Sequence, residues 1–174
     1  MVEAIPEHQL RAGADSTLKN HSISVQPKFF FGLKGDVTNN CIFVDENTVI
    51  YPCGHNVILY SMSERVQRYI PGIDGSQGIT TLAISPSKKL LAVCEKSTHA
   101  ICSVYNIQKF METIKEKKST TVYDVPLKKR RILLASDDPA RKYTSVDFCA
   151  AQERHIVTVS EGSESKIIVW HWDK

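Results

Sequence analysis

The chain has 174 residues, 42% of them hydrophobic and 24% charged, with a formal net charge of +3. That is enough apolar sequence for one globular domain, too little charge bias for a general polyanion binder, and no apolar run near the eighteen or so residues that cross a bilayer. Five cysteines, Cys41, Cys53, Cys94, Cys102 and Cys149, are an odd number without a C-x-x-C pair, which favours reduced thiols and an intracellular, soluble protein over a secreted disulfide framework.

Residues 1–28 are polar and aperiodic, with Pro6 and Pro27, and read as a mobile tail. The abruptly apolar Lys28 to Leu33 (KFFFGL) predicts either a strand of the first sheet or a plug against it that hides Phe29, Phe30 and Phe31. Cys41 to Val44 and Thr48 to Tyr51 flank the turn Asp45-Glu46-Asn47, and Val57 to Tyr60 follows the Cys53-Gly54 corner. Ser61 to Ile70 alternates polar and apolar residues and predicts an outer strand whose Glu64, Arg65 and Arg68 discourage edge pairing. A turn-rich connection from Pro71 to Gly78 leads onward.

The clearest unit is Thr80 to Ile107. Leu82 and Ile84 alternate with Thr81 and Ala83, Ser85-Pro86-Ser87 breaks the ladder, and Leu90 to Cys94 is a strand-length apolar run. After a polar corner from Glu95 to His99, Ile101 to Ile107 predicts a third strand. Gln108 to Lys118 departs from that rhythm and predicts a short surface helix. Thr120 to Val125 is again β-favouring, and Leu127 to Leu134 (LKKRRILL) predicts an outer strand.

Tyr143 to Trp172 repeats the unit. Val146 and Phe148 stand for Leu82 and Ile84, Ile156 to Val159 for Leu91 to Cys94, and Val169-Trp170 for Val104-Tyr105. Tyr60, Tyr105 and Trp170 thus close three units, 45 and 65 positions apart, the longer interval holding the charged insertion. Several strands per period of about 45 residues mark the blades of a β-propeller. The expected fold is therefore all-β: a partial propeller of three antiparallel units, about 37–70, 79–134 and 143–174, within a region spanning 29–174. Ile84, Leu91, Val93, Val104, Phe148, Val157, Val169 and Trp170 are its expected core.

Chemical motifs are sparse. Nucleophile-elbow, P-loop, zincin and dinucleotide patterns are all missing from the sequence. Gly72, Gly75 and Gly78 lie in a turn between strands, and Asp137-Asp138-Pro139 reads as a capped turn. Cys53-Gly54-His55 with Cys41 lacks the second ligand pair of a zinc site. No enzyme activity, cofactor or metal is expected. Lys128-Lys129-Arg130-Arg131 is the dense basic cluster, a candidate contact for an acidic partner, an import signal, or simply the charged face of an outer strand. Trp170 and Trp172 share a strand face, expected between blades; left uncovered, Trp172 becomes a further candidate contact.

These units resemble WD repeats of a divergent kind that lacks the Gly-His dipeptide; Val169-Trp170 and Trp172-Asp173 stand nearest the Trp-Asp ending. Phe31-Gly32-Leu33, Val37-Thr38-Asn39-Asn40, Tyr69-Ile70-Pro71-Gly72, Ser76-Gln77-Gly78, Ile84-Ser85-Pro86 and Val169-Trp170-His171-Trp172 are similar to the N-terminal part of the cilia- and flagella-associated WD-repeat proteins, which carry propellers followed by a coiled coil. The resemblance implies a non-catalytic scaffold of the ciliary axoneme and cytoplasm that supports inner dynein arms or regulatory complexes. Its partners would be proteins, axonemal, dynein-arm or tubulin-associated, with no membrane or nucleic acid and with further blades from a longer chain or a partner. The competing class is a cytoplasmic or nuclear WD-repeat adaptor outside cilia.

Overall fold

Among the described residues, strand-length apolar runs broken by tight turns fold into eleven strands: β1 (Ile42–Phe43), β2 (Thr48–Cys53), β3 (Asn56–Ser61), β4 (Val66–Pro71), β5 (Gly78–Ile84), β6 (Leu90–Lys96), β7 (Ile101–Asn106), β8 (Lys129–Leu133), β9 (Tyr143–Phe148), β10 (His155–Ser160) and β11 (Ile167–His171). The computed structural model describes residues 29–108, 111–112, 129–135 and 138–173. The tail at 1–28, the Thr120 to Val125 segment, Lys128 and Asp137 lie outside the described residues. Three antiparallel sheets form in chain order, β1-β2-β3-β4, β5-β6-β7-β8 and β9-β10-β11, with the all-β, WD-type blade architecture expected from the repeat.

Register confirms the repeat rung by rung. Phe43–Val49–Tyr60–Gln67, Ile84–Leu91–Tyr105–Lys129 and Phe148–Ile156–Trp170 are equivalent rungs. The three closing aromatics therefore share one position. Because side chains alternate across a strand, the next rung faces the other way: Ile42–Ile50–Leu59–Arg68, Ala83–Ala92–Val104–Arg131 and Asp147–Val157–Val169. Each blade thus has one face toward its predecessor and one toward its successor.

Two cores follow. Ile50, Val57 and Leu59 of the first blade pack with Leu82, Leu91, Val93 and Tyr105 of the second. Ala92, Cys94, Cys102 and Val104 of the second pack with Tyr143, Val146, Phe148, Ile156 and Trp172 of the third, with Trp170 against them. Val37 to Asn39 adds to the inner edge: Thr38 N–H donates to Thr80 O at 3.1 Å, Leu82 N–H to Thr38 O at 3.2 Å, and Asn39 takes a φ of 57°.

Several expectations need correction. The single outer strand over Ser61 to Ile70 is two elements, since β3 runs through Ser61 and β4 starts at Val66. Between them Arg65 adopts φ 54°, so Glu64 and Arg65 belong to a turn, and Arg68 is buried. Of the three N-terminal phenylalanines only Phe30 tucks in, packing 4.9 Å from Tyr69 with its N–H donating to Gln67 Oε1; Phe29 and Phe31 remain 43% and 84% exposed. In the expected core, Leu91, Val93, Val104 and Phe148 are buried, Ile84, Val157 and Trp170 are half-buried, and Val169 is 64% exposed. Val169 faces away from the second blade, and no described residue covers that side. The described part of the insertion is helical at Gln108, Met111 and Glu112, with Met111 N–H donating to Ile107 O.

Leu91 anchors the first core with no exposed surface, whereas Ile132 on β8 is 48% exposed. Leu91→Ala is expected to cost about 2–5 kcal/mol in urea unfolding, and Ile132→Ala to stay within about 0.5 kcal/mol.

Candidate functional site

Polar chemistry concentrates at the two junctions between blades. At the first, Gly54 at φ 58° closes the β2–β3 turn and sets His55 against the β4–β5 connection. Gly72 is needed there, because a Cβ would overlap the His55 ring and lie 2.8 Å from the His55 carbonyl oxygen. Glu95 of β6, fully buried, accepts from Ser76 Oγ at 2.8 Å and from Ile73 N–H at 2.9 Å, and its Oε1 lies 3.3 Å from His55 Nε2. His55 Nε2 also meets Ser76 Oγ.

Serine, histidine and a carboxylate suggest a nucleophilic triad, but the connectivity excludes it. In such a relay the acid bonds the imidazole nitrogen opposite the one that takes the serine proton. Here Ser76 Oγ and Glu95 Oε1 share Nε2 and bond each other. The arrangement supplies donors to a buried carboxylate, which would otherwise carry a heavy desolvation cost. The adjacent cavity of about 500 Å³ is lined by Lys34, Cys53, His55 and Ser76. Lys34 Nζ already donates to Ile79 O at 2.9 Å, and Cys53 Sγ to Phe31 O at 3.1 Å. Among the described residues no group of three or more His, Cys, Asp or Glu is placed to hold a metal ion.

At the second junction, Glu153 clasps the Ser85-Pro86-Ser87 turn: Ser87 N–H donates to Oε1, and Ser87 Oγ to Oε2 at 2.7 Å. Beside it runs a groove of about 780 Å³ lined by Lys89, Asn106, Arg154, His171 and Asp173. Arg154 pairs with Asp173 at 3.1 Å.

The candidate contacts do not form one patch. Lys128 lies outside the described residues; Lys129, Arg130 and Arg131 are on the outer strand β8, where Arg131 is exposed. Trp172 lies at the second junction, 7% exposed, its indole N–H donating to Glu153 O at 2.6 Å. It packs between blades and is not displayed. Trp170 donates to Thr158 Oγ1 at 2.8 Å and meets Tyr143 edge-on. Cys53, Cys94 and Cys102 are buried; burial pushes the Cys94 thiol well up, away from reactivity. Sequence reasoning missed Glu95, read as a corner residue, and the exposed aliphatic face of the third blade, where Val157 and Val169 pointed to core.

Apolar side chains are exposed at both ends of the stack of described sheets. Ile167 and Val169 are 73% and 64% exposed beside half-buried Val157 and Val159, and Phe43 is 57% exposed on the first blade. No catalytic constellation stands near either face among the described residues, and both suit protein contacts.

No protein-family model matches the chain. Among curated proteins it is similar to cilia- and flagella-associated protein 57 of Mus musculus, 31% identical over 156 residues, covering 88% of this chain and 11% of the mouse protein. Cilia- and flagella-associated protein 44 of Chlamydomonas reinhardtii is 26% identical over 142 residues, 81% of this chain and 7% of the algal protein. The chain therefore spans about a tenth of the length of these relatives. Among solved structures, the C-terminal WD40 domain of Sif2 superposes with a TM-score of 0.56 over 74% of this chain and 32% of that chain at 17% identity, a likeness of fold.

Two predictions follow from the first junction. Gly72→Ala is expected to destabilise by about 1–3 kcal/mol, and the cost should shrink in a His55→Ala background if the ring is the obstacle; thermal unfolding of the two singles and the double measures this coupling. Burial, reinforced by the Glu95 carboxylate, pushes the Tyr105 phenol from 10.0 up to about 12. The folded state then holds a proton the unfolded chain releases, so this contribution is intact below pH 10.0 and is lost as pH rises toward about 12. Alkaline unfolding of Tyr105→Phe should show a shallower loss across that window.

Proposed function

We propose that this chain, a divergent WD-repeat protein similar over most of its length to the cilia- and flagella-associated proteins 57 and 44, is a non-catalytic protein–protein scaffold of the ciliary axoneme. The observation that carries the reading is the 31% identity to the mouse ciliary protein across 88% of the chain. The fold supports it, since Ser76, Ile73 N–H and His55 at the first blade junction are all engaged with Glu95 Oε1, and the described surface carries exposed apolar side chains such as Ile167 and Val169. Residues 29–174 act as the propeller region, docking inner dynein arm or regulatory complexes.

In this reading the basic segment Lys128, Lys129, Arg130 and Arg131, of which the last three lie on β8, meets an acidic partner surface, such as a tubulin tail. Contacts of that kind weaken with ionic strength and with loss of charge.

A tagged chain expressed in ciliated cells is expected to remain with detergent-extracted axonemes, and cells lacking the protein should lose inner-arm dynein from them. Replacing the four basic residues with alanine should lower binding to salt-washed axonemes and flatten its salt dependence. A tagged chain absent from axonemes sinks the reading. Nuclear accumulation that disappears with the same substitution would make the segment an import signal and the protein an adaptor outside cilia.

A further inference from the structure

We propose that Cys94 and Cys102 form a latent cross-strand disulfide site, shielded in the stacked molecule by the third blade and oxidised when that blade lifts. The inference rests on backbone register and burial and is independent of the ciliary reading.

The two cysteines are direct partners on β6 and β7. Antiparallel partners alternate between rungs that exchange backbone hydrogen bonds, with Cα atoms about 5.5 Å apart, and closer rungs that do not, at about 4.5 Å. The phase of this ladder is set at its end, where Ile107 N–H donates to Lys89 O at 2.9 Å. Lys89–Ile107 is therefore a bonded rung, and Leu91–Tyr105, Val93–Ser103 and Glu95–Ile101 follow in the same phase. Leu90–Asn106, Ala92–Val104 and Cys94–Cys102 are the close rungs. A disulfide needs Cα atoms about 4.4–6.8 Å apart and Cβ atoms converging on one face, which a close rung provides. Cys41, Cys53 and Cys149 have no cysteine partner in any described rung.

Both side chains have no exposed surface, and Tyr143, Val146, Phe148, Ile156 and Trp172 of the third blade pack in the same cluster. The thiolate is the nucleophile in disulfide exchange. Burial, reinforced by the neighbouring Cys102, pushes the Cys94 thiol well up, so the stacked pair is inert. Lifting the third blade admits water and oxidant together. With a small-molecule disulfide as oxidant, one deprotonated cysteine attacks a sulfur of that disulfide, forming a mixed disulfide and expelling one small thiolate. The second cysteine thiolate then attacks the protein sulfur of the mixed disulfide, closing the Cys94–Cys102 bond and expelling the second small thiolate. The two leaving thiolates take up the two protons lost by the cysteines, and the two electrons reduce the small disulfide. The product joins β6 to β7 on the face that the third blade covers.

Thiol trapping on the full chain tests this. The protein is incubated with oxidised glutathione, quenched with N-ethylmaleimide and digested with trypsin, which cuts between the two cysteines at Lys96. Mass spectrometry is expected to find one linked pair of peptides, carrying Cys94 and Cys102, that dithiothreitol separates. Glu153→Gln, which weakens the clasp on the Ser87 turn, should raise the linking rate about threefold or more. Should that variant fail to fold, urea below the unfolding midpoint should speed linking in the wild type while circular dichroism stays native. Cys94 and Cys102 left unlinked after exposed Cys41 has formed a mixed disulfide would overturn the inference. So would bonds from either of them to Cys41, Cys53 or Cys149 in its place, the product of random pairing in unfolded chains. A linking rate that neither Glu153→Gln nor urea alters would overturn it too, since the third blade would then not be the shield.

Discussion

Everything in this fold depends on one constraint: each sheet is apolar on both faces, so no blade is satisfied until a neighbour lies on either side. The second blade shows the satisfied state. All four residues from Leu91 to Cys94 are buried, alternately against the first and third blades. The third blade shows the half-satisfied state, where β10 alternates buried with half-buried residues along its length. Burial of apolar area at about 25 cal/mol per Å² makes the difference between the two states the main energetic quantity in the molecule. It also couples the blades, because a blade that loosens uncovers two faces.

Apolar packing is non-directional, and sheets that slide over each other lose little of it. The polar clasps supply direction. Glu95 reaches from the second blade to Ser76, Ile73 and His55 on the first blade and the connection leaving it, and Glu153 reaches from the third blade to the Ser87 turn of the second. A buried carboxylate tolerates few alternatives, since displacement by one residue leaves the charge without donors. Gly72 belongs to the same device, because the backbone beside it must pass close to the His55 ring. These junctions set the angular relation between sheets that open or closed propeller geometry requires.

How much of this was legible depends on what each signal encodes. The strands and their turns were readable because alternation, Ser85-Pro86-Ser87 and Cys53-Gly54 act locally, and the equivalence of Tyr60, Tyr105 and Trp170 followed from aligning the strand patterns of the three units. The turn between β3 and β4 was not, because Arg65 adopts a left-handed conformation that glycine or asparagine usually announces. Val169 was misplaced for a deeper reason. Period-2 patterning says that a residue lies on an apolar face, and only tertiary arrangement says whether that face is covered. Glu95 failed in the opposite direction: next to Lys96 and Ser97 it reads as a solvated corner, and its burial arises from donors nineteen to forty positions earlier. Of the candidate contacts, the basic segment could be placed on an outer strand from its continuation into Ile132 to Leu134. The burial of Trp172 depended on Glu153, which carries no motif.

The outer strands show how one scaffold position takes different roles. Arg68 and Arg131 occupy the same rung in successive blades. Arg68 is buried, where burial pushes its guanidinium pKa down, while Arg131 is exposed beside the basic run. The inner strands of the second blade cannot vary in this way, since their two faces are both in cores. Outer strands have one edge at the rim, and a change there alters the surface without disturbing the stack. A protein built on this plan diversifies its contacts at the rims and keeps its blade faces, which is the pattern expected where little sequence identity remains and the fold persists.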